Sequence, residues 1–197
     1  PWFRFIETDT DFGSEPYHGD HGPIPIARHP RDTWYPLIER FAEAALSRGH
    51  NWVDDHNEPG AMGVGPTPFN MRDGKRQTPA DHYLDPALSR DNLTLEVGVR
   101  VDRLVLDGTR ATGLEAIREA TGERITYEAD HVILCLGTYQ SPAVLLRSGI
   151  GPADAITPHG IKVVHELPGV GRGMQDHPKI SYRFWVGSDI PQWPHPW

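Results

Sequence analysis

His131-Val-Ile-Leu-Cys-Leu-Gly-Thr-Tyr-Gln-Ser-Pro-Ala-Val-Leu-Leu-Arg-Ser-Gly-Ile-Gly-Pro152 is the stretch that decides how this chain is read. Val132 to Leu136 is an apolar run without polar alternation, the pattern of a strand covered on both faces in a parallel sheet. Gly137 breaks the run. Ser141-Pro142 then predicts a helix start, with Ser141 as N-cap and Pro142 at the first helical position, and Gly149 ends that helix. A buried strand, a glycine turn and a helix N-terminus together make a place where backbone N–H groups can face a nucleotide or flavin. The turn does not carry a full Gly-x-Gly-x-x-Gly fingerprint, so it is not a primary dinucleotide loop.

Four motifs carry a more specific signal. Gly137-Thr-x-x-Ser-Pro-x-Val-Leu-x-x-Ser-Gly-Ile-Gly151 resembles the second signature of the glucose-methanol-choline (GMC) family of FAD-dependent oxidoreductases. Leu167-Pro-Gly-Val-Gly-Arg-Gly-Met-Gln-Asp-His-Pro178 is similar to that family's LPGVGxNLQDHP stretch, with Gly173 where the family usually has Asn and Met174 where it has Leu. Asn92-Leu-Thr-Leu95 with Val101 resembles the strand that reaches the adenine of the flavin nucleotide. Tyr17-His-Gly-Asp-His-Gly-Pro23 resembles the family's HGxxGP turn. The four occur in family order along nearly the whole chain.

The resemblance implies a mixed α/β fold: part of an FAD-binding doubly wound sheet, part of a substrate-binding cap, and a loop-rich N-terminal half. The organisation expected from it is a cap or substrate-side segment over 1–90, part of the FAD-binding domain over 91–178, and the start of a further substrate-domain segment over 179–197. It implies oxidation of an alcohol, in which a base takes the hydroxyl proton while hydride passes from carbon to flavin N5. FAD is the implied cofactor. Val101, through its backbone, and Leu136 and Gly137, at the carboxyl end of a sheet strand, are the implied cofactor-binding residues. The loop at 61–78 would wrap towards the flavin ring and substrate. The family's Gly-x-Gly-x-x-Gly loop and its active-site histidine segment have no counterpart in these 197 residues. No catalytic residue is therefore nominated, and the chain reads as an internal portion, inactive alone, whose partners are an alcohol substrate and the remainder of the same enzyme. Two other readings stay open: a non-catalytic binding module derived from such an enzyme, and a piece of another two-dinucleotide flavoprotein. The missing Gly-x-Gly-x-x-Gly argues against the last.

Composition sets outer bounds. With 38% apolar residues and 6 Trp the chain can build a core. A net charge of −8 provides no basic surface for phosphates, so no nucleic-acid partner is expected. No apolar stretch approaches membrane-spanning length and no signal peptide is evident, so the cytoplasm is the expected compartment. The lone Cys135 excludes an internal disulfide and reads as a small buried hydrophobe. His18, His21 and His29 are spaced suggestively, but with glycine between them and neither cysteine nor helix they predict no metal site. His177, beside Asp176, reads as structural. Ser141 is not in a Gly-x-Ser-x-Gly elbow.

Local patterns complete the reading. Leu37, Ile38, Phe41, Ala44 and Ala45 share one face of a predicted helix, with Asp32 or Thr33 as cap, Pro36 in the first turn and Gly49 as stop. Residues 51–80 read as a long loop with a tight turn at Asp73-Gly74. Strands are predicted at 93–97, 99–106, 111–117, 124–128, 132–136 and 162–165, with turns at Asp107-Gly108 and Thr121-Gly122. The tail 191–197 is proline-locked and outside any core.

Overall fold

The computed structural model describes residues 2–181 and residue 187. The predicted tail at 191–197 and most of the segment from 179 lie outside the described residues. The chain forms two units, one running to Thr94 and the other comprising Leu95–Ser181. Helices and strands are mixed throughout, as expected for the class, and the strands fall into several sheets.

In the first unit, the short helix α1 (Phe3–Ile6) leads into β1 (Glu7–Asp9), which pairs in parallel with β2 (Ile24–Ala27). Ile24 and Ile26 are buried there, because a central strand removes its side chains from water on both faces. Next in order are β3 (Phe69–Arg72) and β4 (Lys75–Arg76), an antiparallel hairpin turning at Asp73-Gly74. The stretch 51–80 is thus not wholly a loop: its turn was legible, but not the short strands on either side of it.

Helix α2 (Pro36–Ser47) begins at Pro36, with Tyr35 as N-cap. Asp32 and Thr33 do not cap it. Pro36 holds Tyr35 in the extended region (φ −68°, ψ 146°), so the helix cannot reach back past it, and Arg31–Thr33 forms a separate 3-10 turn. The apolar stripe is present but faces outward. Ala42 is the buried residue of α2, whereas Leu37, Ile38 and Phe41 are exposed.

The second unit is built on an antiparallel sheet of β5 (Val99–Asp107), β6 (Arg110–Arg118) and β7 (Arg124–Glu128), in that order. Both predicted turns link these strands. The predicted strand at 93–97 is absent; Glu96 is held instead by its side chain, accepting from Arg118 (2.9 Å) and Tyr127 Oη (2.6 Å). Helix α3 (Gly137–Arg147) packs on β5. Then β8 (Ile150–Gly151), the short helix α4 (Ala153–Ile156) and β9 (His165–Glu166) follow, with β8 and β9 pairing in parallel. The last strand predicted at 162–165 therefore begins only at His165.

Two expectations for the deciding stretch need correction. Residues 132–136 form no strand: Ile133 is 84% exposed, and Cys135, expected to be buried, is exposed too. A parallel strand takes its hydrogen bonds from neighbours, and no described strand lies beside this run. Helix α3 also starts earlier than predicted, at Gly137 with Leu136 as N-cap. Ser141 lies inside the first turns, where its hydroxyl accepts the Leu136 N–H at 3.1 Å. Pro142 is likewise internal and cannot donate to the carbonyl four residues back.

Candidate functional site

Leu136 and Gly137 stand where the chain enters α3. Gly137 has φ +79°, and nothing lies within 4 Å of the position its Cβ would occupy. Glycine is required there by backbone conformation, because a side chain in the left-handed region is strained, and the space beside it is open. Leu136 is partly exposed. Val101 is half-buried on β5, opposite Ala116. Since β5 is an edge strand of its sheet, one side of its backbone has no strand partner. The structure places Val101 on β5 and the Leu136–Gly137 turn at the start of α3, two elements that pack together.

The register of β5 breaks between Val101 and Arg103, which face Ala116 and Glu115 respectively, leaving Asp102 as the extra residue of a bulge. Asp102 is buried. Its carboxylate accepts from Arg124 Nη1 at 3.1 Å and Arg103 Nη2 at 3.2 Å, and lies 3.3 Å from Arg147 Nε. Burial pushes its pKa up, but the Arg124 and Arg103 hydrogen bonds outweigh that and hold it below the ordinary aspartate value. Nothing in the local sequence singles out Asp102 among the charged residues of an alternating strand.

In the first unit, the HGxxGP turn has a clear structural role. Gly22 passes so close to β1 that a Cβ would overlap the backbone of Ile6 and Glu7. The Gly22 N–H donates to the Glu7 carbonyl (2.9 Å), the Asp9 N–H donates to the Gly19 carbonyl (2.8 Å), and Thr8 Oγ1 donates to the Gly22 carbonyl (2.6 Å). The turn is laced along β1 and carries His18 inward.

His18 is buried among acids. Its Nδ1 lies 2.8 Å from Glu7 Oε1 and 3.3 Å from Asp9 Oδ2, and its Nε2 lies 2.7 Å from Asp55 Oδ2. Arg28 closes the cluster, donating through Nη1 to both Asp9 oxygens (3.0 and 3.1 Å) and through Nη2 to Asp55 Oδ1 (2.8 Å). The guanidinium also sits 4.6 Å over the Phe12 ring. Burial disfavours a charged His18, but the hydrogen bonds to Asp55 and Glu7 prevail and raise its pKa. Asp55 is pushed up by burial, yet the His18 hydrogen bond and the Asn57 N–H bring it below its ordinary value.

Glu7, Asp9 and His18 offer ligand atoms within 4.8 Å of one another, a spacing a cation could bridge. Both ring nitrogens of His18 face carboxylates, however, and a neutral imidazole has only one N–H to donate. The arrangement calls for an imidazolium, which has no lone pair for a metal. The three histidines that seemed grouped in sequence diverge. His21 is exposed beside Asp20, and His29 sets its ring edge-on to Phe69. Asp176 binds the backbone N–H of His177 at 2.7 Å, an arrangement that is not an Asp–His catalytic pair.

These features can be set beside known proteins. The profile of the GMC oxidoreductase family matches residues 2–179. The chain belongs to the GMC oxidoreductase family. It is 44% identical over 180 residues to a GMC-type oxidoreductase of Rhodococcus erythropolis, covering 91% of this chain and 36% of that protein. It is 35% identical over 196 residues to the oxygen-dependent choline dehydrogenase of Pseudomonas fluorescens, covering 98% and 34%. Among solved structures, pyridoxine 4-oxidase from Mesorbium loti superposes with a TM-score of 0.78 at 39% identity, covering 85% of this chain and 32% of that one. This GMC chain thus spans about a third of the length of the curated relatives it matches. GMC oxidoreductases are generally FAD-dependent, and a further structural neighbour, from Chaetomium thermophilum, is an FAD-dependent oxidoreductase (TM-score 0.76, 25% identity). The described residues fit a flavin nucleotide in two respects: open space at a left-handed glycine turn, and a strand, β5, that has no strand partner on one side. Among the described residues no helix is long and apolar enough to cross a membrane.

Proposed function

We propose that this chain forms part of an FAD-dependent GMC oxidoreductase that oxidises the CH–OH group of a small-molecule alcohol, and that Val101, Leu136 and Gly137 contact the cofactor. The observation that carries the reading is Gly137: a positive-φ glycine opening α3, with free space where a side chain would stand, inside the family's second signature. Val101 would meet the nucleotide through the unpaired side of β5. When bound, FAD supplies the hydride acceptor and the protein supplies placement and electrostatics. Choline, pyridoxine and aryl alcohols, named for the relatives and for a fungal aryl-alcohol oxidase of similar structure, share a CH–OH group and support that substrate class. The exposed Leu95, Val97 and Ile133 of one unit, and Leu37, Ile38 and Phe41 of the other, support further polypeptide of the same enzyme as what covers them.

The test is Gly137→Val in the native polypeptide that carries these residues. A Cβ at this position meets nothing within 4 Å, so the expected folding cost is chiefly left-handed backbone strain of about 1–3 kcal/mol. The expected result is a folded but colourless variant, against an unaltered protein that is yellow and bleaches anaerobically with an alcohol such as choline. Unchanged flavin content in the variant would sink the assignment.

A further inference from the structure

Asp102 is a buried carboxylate in the middle of a strand, where an apolar residue would pack at no electrostatic cost. It sits in the bulge immediately after Val101, and bulges bend a strand and re-aim its backbone. The group on it that matters most is Arg147, at the C-terminal end of α3. Its Nε donates to the Asp102 carbonyl at 2.7 Å and lies 3.3 Å from the Asp102 carboxylate. The next residue repeats the link: Ser148 Oγ accepts the Leu104 N–H at 2.8 Å and donates to the Val144 carbonyl at 2.6 Å.

The end of α3 is thereby pinned to β5 at two points, the bulge residue Asp102 and Leu104, one on each side of Arg103. Leu136 and Gly137 stand at the other end of the same eleven-residue helix, roughly 15 Å away along its axis. One rigid piece therefore carries both cofactor-contact regions, and the Asp102–Arg147 bond governs how the Val101 backbone is presented relative to the glycine turn.

We propose that Asp102, through Arg147, is a positioning residue that sets the Val101 backbone for the adenine half of FAD; this rests on the cofactor reading above. The local charge supports it. Arg103 and Arg124 complete a shell that keeps the carboxylate ionised, so the bulge is held by charge-assisted hydrogen bonds rather than by packing alone.

The test compares FAD with FMN, which lacks the adenosine half, by titrating each into the flavin-stripped native polypeptide and into Asp102→Asn and Arg147→Lys variants. Arg147→Lys keeps the helix and the charge but loses the Nε donor that meets the Asp102 carbonyl and carboxylate, so it carries the test if Asp102→Asn does not fold. The expected result is FAD affinity weakened on the order of tenfold or more, the scale of one lost hydrogen bond to a charged group, with FMN affinity unchanged. Equal weakening for both flavins would show a merely structural role and overturn the proposal, as would no change for either. If the unaltered protein takes up neither flavin, the cofactor reading itself fails and this inference with it.

Discussion

Nε2 of His18 lies 2.7 Å from Oδ2 of Asp55, thirty-seven residues away in sequence, and the two are buried with Glu7, Asp9 and Arg28 around them. Breaking a buried ionic network by removing one member leaves charges without partners, at about 3–5 kcal/mol. His18→Gln should cost that much by chemical denaturation, without touching the regions assigned to the cofactor. A loss near zero would show that the network contributes no net stability.

The same pair sets a pH profile. His18 has a raised pKa in the folded state, so its contribution is complete below its unfolded value near 6.5 and is lost as pH rises through the folded value. Asp55 has a lowered pKa, so its contribution is complete above its unfolded value near 3.9 and is lost as pH falls through the folded value. Melting temperature measured against pH should therefore peak in the mildly acidic range and decline on both sides. In His18→Gln the alkaline decline should flatten, and an unchanged alkaline arm would contradict the assignment.

Gly22 tests the close approach of the HGxxGP turn to β1. A single methyl at this position overlaps backbone that is itself hydrogen-bonded to the turn, so no flexible side chain can give way. Gly22→Ala should prevent stable folding of the first unit, seen as loss of soluble protein or of its melting transition. Gly169→Ala, where the added methyl meets nothing, should stay within about 0.5 kcal/mol of the parent. Comparable behaviour of the two variants would show that the approach is looser than described.

What could be read from sequence was whatever is encoded locally. The β5–β6–β7 meander follows from alternation and from turns at Asp107-Gly108 and Thr121-Gly122, all within thirty residues. Helix α2 follows from its apolar spacing, although Pro36 displaced the cap by restricting Tyr35. The need for glycine at 137 was also legible, because a turn from an apolar run into a helix demands unusual backbone angles. The ionic clusters were not. Glu7, His18, Arg28 and Asp55 are far apart along the chain and each is of a type that usually sits in water, so nothing local distinguishes them from surface residues. Residues 132–136 failed for the opposite reason: their composition describes a strand's surroundings, and hydrogen-bonding neighbours decide whether the strand exists.

Those residues make the last prediction. Val97 is 75% exposed and Ile133 84% exposed within one unit, each a β-branched residue on a segment whose backbone belongs to no sheet. Unpaired, apolar segments of this kind template association with other chains. The 197-residue chain expressed alone should therefore self-associate, giving a mass well above that of a monomer by light scattering after size exclusion. Val97→Lys with Ile133→Lys places charge on both segments without entering the core, and should shift the distribution towards monomer. A parent chain that is monodisperse and melts cooperatively as a monomer would show that the exposed segments are tolerated in water, and would remove the argument that further polypeptide covers them.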